Sequence, residues 1–311
     1  MQLEIPMTYT LQYYTNYPTG SMIVSTVHEE SYLVGATVSA RPASTYANSD
    51  GTKTIDGVVY EFAGWSLTPS GGVEYYPGES FKMPAKNLKL YGVWTTKPVL
   101  NRLDHFAYMQ GYPDGTFGPT RNMLRSEAVV MFSRLLTNKM NESMTYTTTY
   151  VDVPTGHWFS NQIGYMQQKG VLSTLPPYFR PNDPITRAEF ADLACGFENL
   201  TSGAPNSFID VPSNHPYYDE INYAVARGWL TGYPDGTFRP NDPIQRAEVI
   251  AIVNRVLERY PDQAYINTHT SMIKKYTDLI PTYWAYYLIM EASNGHNYNK
   301  IGTTETWTSL K

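Results

Sequence analysis

Long apolar runs are absent from this sequence. No stretch of the 311 residues reaches the roughly 20 consecutive apolar positions that a membrane-spanning helix needs. Residues 1–6, Met-Gln-Leu-Glu-Ile-Pro, have neither the basic start nor the apolar centre of a signal peptide. We therefore predict no membrane insertion, and we expect the chain to begin at the boundary of a fragment.

Clustered positive charge and cysteine pairs are absent too. The formal net charge is −5 and no run of Lys or Arg occurs. A nucleic-acid partner would need a basic stripe to neutralise its phosphates, so we predict none. The single cysteine, Cys195, excludes an internal disulfide and paired-cysteine metal sites. It leaves the cellular compartment undecided.

Motifs of common catalytic and metal sites are also lacking. His28-Glu-Glu resembles the start of a zinc-protease motif, but no second histidine follows at the required spacing. Neither Gly-x-Ser-x-Gly nor a phosphate-binding Gly-Lys-Ser/Thr occurs. The Asp-Gly turns lack the alternating oxygen ligands of a calcium loop, and abundant carboxylates alone are weak evidence for a glycosidase. We predict no enzyme activity, no metal site and no cofactor.

Internal repeats are the main positive feature. Gly-Tyr-Pro-Asp-Gly-Thr-Phe occurs at residues 111–117 and 232–238, and Phe-Arg-Pro-Asn-Asp-Pro-Ile occurs at 179–185 and 238–244. A second motif, aromatic-x-Asp-Val-Pro, stands at 150–154 and 208–212. The period of about 60 residues is longer than that of common helical-pair repeats.

The first copy has no second motif before it, whereas Tyr-Thr-Asp-Leu at 276–279 has no partner after it. We predict that these orphan halves pack together and close three units into a ring with pseudo-threefold symmetry. Apolar residues at helical spacing follow each Arg-x-Glu. We expect these three helices to form a central three-helix bundle in which Met131 and Ile250 are buried.

The arginines at the predicted helix starts are the first candidate site residues: Arg125, Arg187 and Arg246. An arginine there opposes the helix macrodipole, so a bound anion would compensate. Its planar fork can hold a carboxylate beside free helix-start amides. In the alternative reading, each arginine bridges an aspartate of a neighbouring motif: Asp152, Asp210 or Asp278.

The helix starts differ in their capping residues. Thr186 and Glu189 form a Ser/Thr-x-x-Glu capping box, whereas Leu124 and Gln245 hold the cap position in the other two copies. We expect those two helix starts to be less well capped.

Aromatic residues are the second component of the candidate site, because sugar rings stack on them. Those at corresponding places in the repeats are Tyr112, Tyr233, Trp158, Tyr217 and Trp284. Core packing is the alternative for each, and we expect the two tryptophans to be groove walls that are largely buried. Two glycines, Gly111 and Gly232, allow close ligand approach or supply a turn with positive φ, and the turn is the simpler reading. Copy two lacks both glycines, so we expect unequal sites.

Together these motifs resemble the S-layer homology family over about residues 100–296. The resemblance implies a mainly α-helical pseudo-trimer whose Thr-Arg-Ala-Glu arginine contacts an acidic, often pyruvylated, secondary cell-wall polysaccharide. The match is direct for Arg187 and close for Arg246. It is weaker for Arg125, which stands in Leu-Arg-Ser-Glu.

The segment before the repeats has a different pattern. Alternating residues at 9–14 and 58–62 predict strands. Residues 60–65, 76–78, 83–85 and 88–94 resemble the Listeria–Bacteroides repeat of bacterial adhesins, which implies a small all-β, β-grasp-like module. We therefore predict an α+β multidomain protein, with this module at 1–96 and repeats at 97–149, 150–206 and 207–275. Residues 276–311 complete the first repeat.

The predicted function is non-catalytic anchoring of a surface or S-layer protein, outside the cell, to a peptidoglycan-linked secondary cell-wall polysaccharide. One alternative is protein self-assembly as part of an S-layer, pilus or adhesin. Another is the anchor fragment of a surface enzyme that degrades polysaccharide.

Overall fold

A computed structural model describes residues 7–18, 26–42, 46–48, 51–173, 177–198, 200 and 208–311. The chain divides into two compact units, Met1–Val99 and Leu100–Lys311. Helices and sheets both occur, which confirms the α+β class. Within these described ranges, no helix combines the length and the apolar character that crossing a bilayer requires.

The described part of the first unit is built from strands. They are β1 (Thr8–Tyr14), β2 (Thr26–Leu33), β3 (Thr37–Ser39), β4 (Thr52–Ile55), β5 (Val58–Ser66), β6 (Ser80–Lys82) and β7 (Leu88–Thr95). Five form a sheet in the order β2-β1-β7-β5-β4, and β3 pairs with β6. The two predicted strands lie in β1 and β5. Alternation along β1 buries Leu11 and Tyr13, and the Tyr13 ring meets Trp65 edge to face at 4.8 Å.

The second unit contains seven helices and a hairpin among its described residues. The helices are α1 (Arg125–Arg134), α2 (Ser160–Gln168), α3 (Arg187–Cys195), α4 (Tyr218–Ala226), α5 (Arg246–Val256), α6 (Gln263–Thr268) and α7 (Tyr286–Ser293), and the hairpin is β8 (His296–Ile301) with β9 (Thr304–Leu310). Helices α1, α3 and α5 begin at the three arginines, as predicted. They pack against α2, α4 and α7 respectively.

Within the second unit, a closed cycle of backbone hydrogen bonds joins the three repeats just before α1, α3 and α5. The amide of Met123 donates to the carbonyl of Ile244 at 3.0 Å, Ile244 donates to Ile185 at 3.0 Å, and Ile185 donates to Met123 at 2.9 Å. The side chains of Met131 and Ile250 are 3% and 0% exposed, so their predicted burial is confirmed. The three-helix bundle itself stays a prediction.

The orphan halves contact each other within this unit. The Asp278 carboxylate accepts hydrogen bonds from the amides of Phe117 at 2.7 Å and Gly118 at 2.8 Å. The amide of Thr277 donates to the carbonyl of Gly115 at 3.0 Å. The second and third repeats make the same contact between residues that are close in sequence. The Asp152 carboxylate accepts from the amides of Phe179 and Arg180, and the Asp210 carboxylate accepts from those of Phe238 and Arg239.

Candidate functional site

The starts of α1, α3 and α5 are capped from within the helix. In each, the third helical residue is a glutamate whose carboxylate accepts from the cap amide: Leu124 at 3.0 Å, Thr186 at 3.0 Å and Gln245 at 2.9 Å. The hydroxyl of Thr186 also accepts from the amide of Glu189 at 3.2 Å. The side chains of Leu124 and Gln245 make no such bond, as the sequence indicated.

The next amides of these helices are not free, so that part of the prediction was wrong. The amides of Arg187 and Ala188 donate to the carbonyls of Asp242 and Pro240, both at 3.0 Å. The starts of α1 and α5 make the same pair of bonds to other units. The physical reason is that the turn of one repeat packs against the helix start of another, where its carbonyls accept from these amides. An anion at this place must therefore be held by side chains.

The three arginines all bind the same point of a neighbouring loop. Their Nε groups donate to phenylalanine carbonyls: Arg125 to Phe179 at 2.7 Å, Arg187 to Phe238 at 2.9 Å and Arg246 to Phe117 at 3.2 Å. The amides of these phenylalanines are bound by the motif aspartates described above. Among the described residues, no ion pair joins these arginines to those aspartates. Arginine and aspartate instead hold opposite sides of one loop residue.

The arginines differ in their counter-charge. Arg125 Nη1 lies 2.8 Å from Glu189 Oε1. Arg187 and Arg246 use Nη2 to donate to the carbonyls of Thr231 and Gln110, both at 2.9 Å. Within the described ranges, neither has a carboxylate at ion-pair distance, although each is only 6% exposed. A buried cation without a counter-charge is costly, so these two positions favour a bound anion.

Tyr112 and Tyr233 are half-buried and stack with arginines. The guanidinium carbons of Arg246 and Arg121 lie 4.9 and 4.3 Å from the Tyr112 ring centre. Those of Arg187 and Arg239 lie 5.0 and 3.9 Å from the centre of Tyr233. Such stacking holds both ring and cation in place. In copy two, the position that matches these tyrosines by sequence, residue 174, lies outside the described residues.

The two tryptophans are exposed, contrary to the prediction. Trp158 is 58% exposed and Trp284 is 59% exposed. Each stands just before the cap residue of its helix, Phe159 or Ala285, and it is the cap residue that enters the core. A large aromatic surface that faces solvent can stack on a sugar ring.

Tyr217 does not occupy the tryptophan position, so that alignment was wrong by one residue. It is the cap residue of α4 and therefore corresponds to Phe159, and Pro216 stands where the other units have tryptophan. Tyr217 is half-buried, and burial raises the pKa of its hydroxyl. The charges of Asp192, Glu189 and Arg125 also act on the pKa of this hydroxyl, so Tyr217 is within electrostatic range of Arg125.

Gly111 and Gly232 do not serve positive φ, which belongs instead to Gly115 and Gly236 at +82° and +81°. A Cβ at Gly232 would lie 2.1 Å from Phe208 Cε1, and one at Gly111 would lie 2.5 Å from Tyr276 Cε1. The glycines let the two motifs of a unit pack together. The reading as turn glycines was wrong, because this close contact fills the space beside them.

Sequence reasoning missed a group that we call the His/Glu cluster: His105, Glu291, His296 and Glu305. One polar atom from each lies within 4.8 Å of the others, and all four side chains are buried. Their sequence separation forms no short motif. The only sequence signal was that two histidines, His105 and His296, lie outside the repeated motifs. Their spacing matches no metal-binding motif, so the sequence alone did not indicate a site.

The model of the S-layer homology domain matches residues 93–129, 149–191 and 207–250. The Cell surface glycoprotein 1 of Acetivibrio thermocellus is 33% identical over 207 residues, 63% of this chain and 9% of that protein. The Cellulosome-anchoring protein of the same species is 36% identical over 204 residues, 63% of this chain and 44% of that protein. An Amylopullulanase of Thermoanaerobacterium thermosulfurigenes is 29% identical over 170 residues, 52% and 9% of the two chains.

The chain therefore spans less than half the length of each of these relatives. The three matched segments and the surface proteins that share them identify a cell-surface protein associated with the cell wall.

Proposed function

We propose that this chain anchors a surface protein to the bacterial cell wall without catalysis, by binding an acidic, for example pyruvylated, secondary cell-wall polysaccharide. The observation that carries the proposal is that no carboxylate of the described residues lies at ion-pair distance from Arg187 or Arg246. The name of the Cellulosome-anchoring protein agrees with an anchoring role, and the three matched domains agree with a wall-associated one.

The remaining donors of these arginines suit a carboxylate. A guanidinium has five N–H donors, and the described contacts of Arg187 use one on Nε and one on Nη2. Its Nη1 makes no hydrogen bond with a described residue. The outer edge formed by Nη1 and Nη2 is therefore available for bidentate binding of a sugar carboxylate.

A pseudo-threefold relation between the repeats would pair each of these arginines with an exposed tryptophan. The charge of Arg125 acts on the pKa of Tyr217, the cap residue of α4, and we take this as the sign that the two share a groove. A rotation by one unit carries α4 to α7, so Trp284 should lie near Arg187. A further rotation carries α7 to α2, so Trp158 should lie near Arg246.

We thus define two grooves, groove one with Arg246, Tyr112 and Trp158, and groove two with Arg187, Tyr233 and Trp284. Each combines a cation for the acidic group with an aromatic platform for the ring. The third groove, at Arg125, has a proline at the tryptophan position and a carboxylate already on its arginine. We propose that it binds weakly or not at all. Gly111 and Gly232 act by packing the loops that carry the two tyrosines.

Removal of both exposed tryptophans tests the two grooves. We expect the variant Trp158→Ala with Trp284→Ala to lose about 1–3 kcal/mol of stacking per site, as for aromatic stacking on nucleobases, while its melting temperature is maintained. The matched control is Ile301→Ala, which removes an apolar side chain that is 84% exposed. Binding is measured by sedimentation with purified cell walls, before and after chemical removal of the secondary polymer. Equal binding by variant and control would reject the grooves.

The domain limits and the N-terminal module are part of the proposal. Hydrogen bonds of Asp278 and Thr277 to the first loop support the completion of repeat 97–149 by residues 276–311. The parallel pairing of β1 with β7 at the centre of a mixed sheet supports a β-grasp-like, Listeria–Bacteroides-type module.

Two alternatives concern the whole protein. Self-assembly into a layer or filament predicts ordered sheets of purified protein in electron micrographs without wall polymer. The relation to an amylopullulanase would also fit an anchor that carries an enzyme elsewhere in a longer chain. Neither alternative explains the two unpaired arginines.

A further inference from the structure

The His/Glu cluster lies where the beginning and the end of the second unit meet. His105 precedes the first loop, Glu291 lies in α7, and the other two residues lie in β8 and β9. The amide of His296 donates to the carbonyl of His105 at 2.9 Å, so the backbone already joins these segments. Exposure is 0% for the first three residues and 6% for Glu305.

The polar atoms of the cluster are spaced like ligands of one metal ion. His105 Nδ1 lies 3.0 Å from His296 Nε2, 3.4 Å from Glu291 Oε1 and 3.5 Å from Glu305 Oε2, and His296 Nε2 lies 3.5 Å from Glu291 Oε1. Two atoms bound tetrahedrally to zinc at about 2.0–2.1 Å lie roughly 3.3–3.4 Å apart. These four separations bracket this value, and the two remaining pairs lie within 4.8 Å.

The two carboxylates have only weakly placed donors among the described residues. Among the described residues, no donor meets strict hydrogen-bond geometry with any of the four oxygens of Glu291 and Glu305. The nearest donors are the Trp307 indole beside Glu291, and the Tyr260 amide and Lys300 ammonium beside Glu305. Buried carboxylates are normally paired or bound to a metal, because an uncompensated buried charge is costly. Lys300 Nζ lies 3.6 Å from Glu305 Oε1, whereas it is the other oxygen, Oε2, that lies near His105.

We propose that the His/Glu cluster binds one structural zinc ion, which fastens the C-terminal hairpin to the start of the unit.

The ligand types select the metal. Calcium and magnesium take oxygen ligands, whereas two imidazoles with two carboxylates suit a first-row transition metal. Four buried protein ligands leave no open position for water or substrate, which is the arrangement of structural zinc sites. The ion adds two positive charges beside two carboxylates, so the filled cluster is neutral.

The histidines are held in orientations that suit ligation. His296 Nδ1 lies 2.8 Å from the carbonyl of Asn294, which fixes the proton there and leaves Nε2 as the ligand atom. The His296 ring stacks on Trp307 with centroids 3.8 Å apart, and the His105 ring stacks on Tyr298 at the same distance.

The competing arrangement has no metal. In it, His105 Nδ1–H donates directly to His296 Nε2 at 3.0 Å, and Lys300 and Arg259, which is 2% exposed, would balance the two carboxylates. Arg259 donates to the carbonyls of Phe106 and Asp104 at 3.0 and 2.9 Å, and no ion pair within 4.0 Å joins it to the described carboxylates. The two arrangements differ in metal content and are separated by direct measurement.

The test uses the full chain without a histidine tag. The protein is treated with a strong chelator, dialysed, incubated with Zn²⁺ and analysed for bound metal by mass spectrometry. We expect one zinc ion per chain. Co²⁺ in its place should give the intense visible bands of a four-coordinate ion. A folded parent chain that retains neither metal overturns the proposal, and no variant is needed for that outcome.

Matched variants locate the site. The site variant carries Glu291→Gln and His296→Gln, and the control carries Glu142→Gln and His157→Gln at exposed positions. The site variant loses two direct ligands, so its zinc affinity should fall by more than the roughly 10–100-fold that is typical of losing one second-shell partner. Zinc should raise the melting temperature of parent and control but not of the site variant. Equal zinc affinity in the two variants would place the metal elsewhere and reject the assignment.

Discussion

The hydrogen bonds of Asp278 with Phe117 and Gly118, in the loop of the first repeat, should contribute measurably to stability. They join segments 161 and 160 residues apart in the sequence. In Asp278→Asn, the amide oxygen can still accept from one backbone N–H. The amide nitrogen is a donor and faces the other N–H, so one charge-assisted hydrogen bond is lost. Such a bond contributes about 1.5–3 kcal/mol.

The lower end of that range applies here, because Asp278 is exposed. A loss of about 1.5 kcal/mol corresponds to a fall of about 3–6 °C in melting temperature for a domain of this size. Differential scanning calorimetry of the full chain measures it. Asp242→Asn is the matched control, because its exposed carboxylate makes no hydrogen bond with a described residue. A shift no larger than that of the control would refute the idea that Asp278 fastens the C-terminal segment to the first loop.

Two further perturbations test packing and charge. Gly232→Ala places a Cβ 2.1 Å from Phe208 and should cost about 1–3 kcal/mol in the free energy of unfolding, whereas Gly72→Ala, which meets nothing within 4 Å, should be neutral. Urea denaturation would contradict the packing argument if both variants matched the parent. In the first unit, burial opposes ionisation of Glu30, but hydrogen bonds from Tyr32, His28 and Arg41 lower its pKa to about 2 from an ordinary 4.5. The ionised carboxylate therefore stabilises the fold above pH 4.5, and this contribution is lost as the pH falls towards 2. Glu30→Gln should lower the free energy of unfolding at neutral pH, and it should match the parent in stability near pH 2.

Local sequence signals predicted the helix starts. Arg-x-Glu placed the first residues of α1, α3 and α5 correctly, because the glutamate at the third position caps its own helix. Apolar spacing along these helices predicted the burial of Met131 and Ile250, because residues three or four positions apart share the helix face that packs into the core.

Contacts between the repeats could not be predicted from such local signals. The helix-start amides looked free because their acceptors, such as Asp242 and Pro240, belong to another unit. The exposure of Trp158 was missed because the next residue, Phe159, takes the buried position. The His/Glu cluster joins residues from opposite ends of the unit, and no spacing rule connects them.

The central claim is that Arg187 and Arg246 bind an acidic group of the wall polymer. The most direct measurement is the affinity of Arg187→Gln with Arg246→Gln for purified walls, beside Arg125→Gln as the matched control. Thermal unfolding is recorded for all chains, because each arginine also binds a loop carbonyl. Losing a charge-assisted contact should cost about 1.5–3 kcal/mol, or roughly one to two decades in affinity per site. We predict this loss for the folded double variant and parent-like binding for the control, and a folded double variant that binds acidic walls as tightly as the parent would contradict the account.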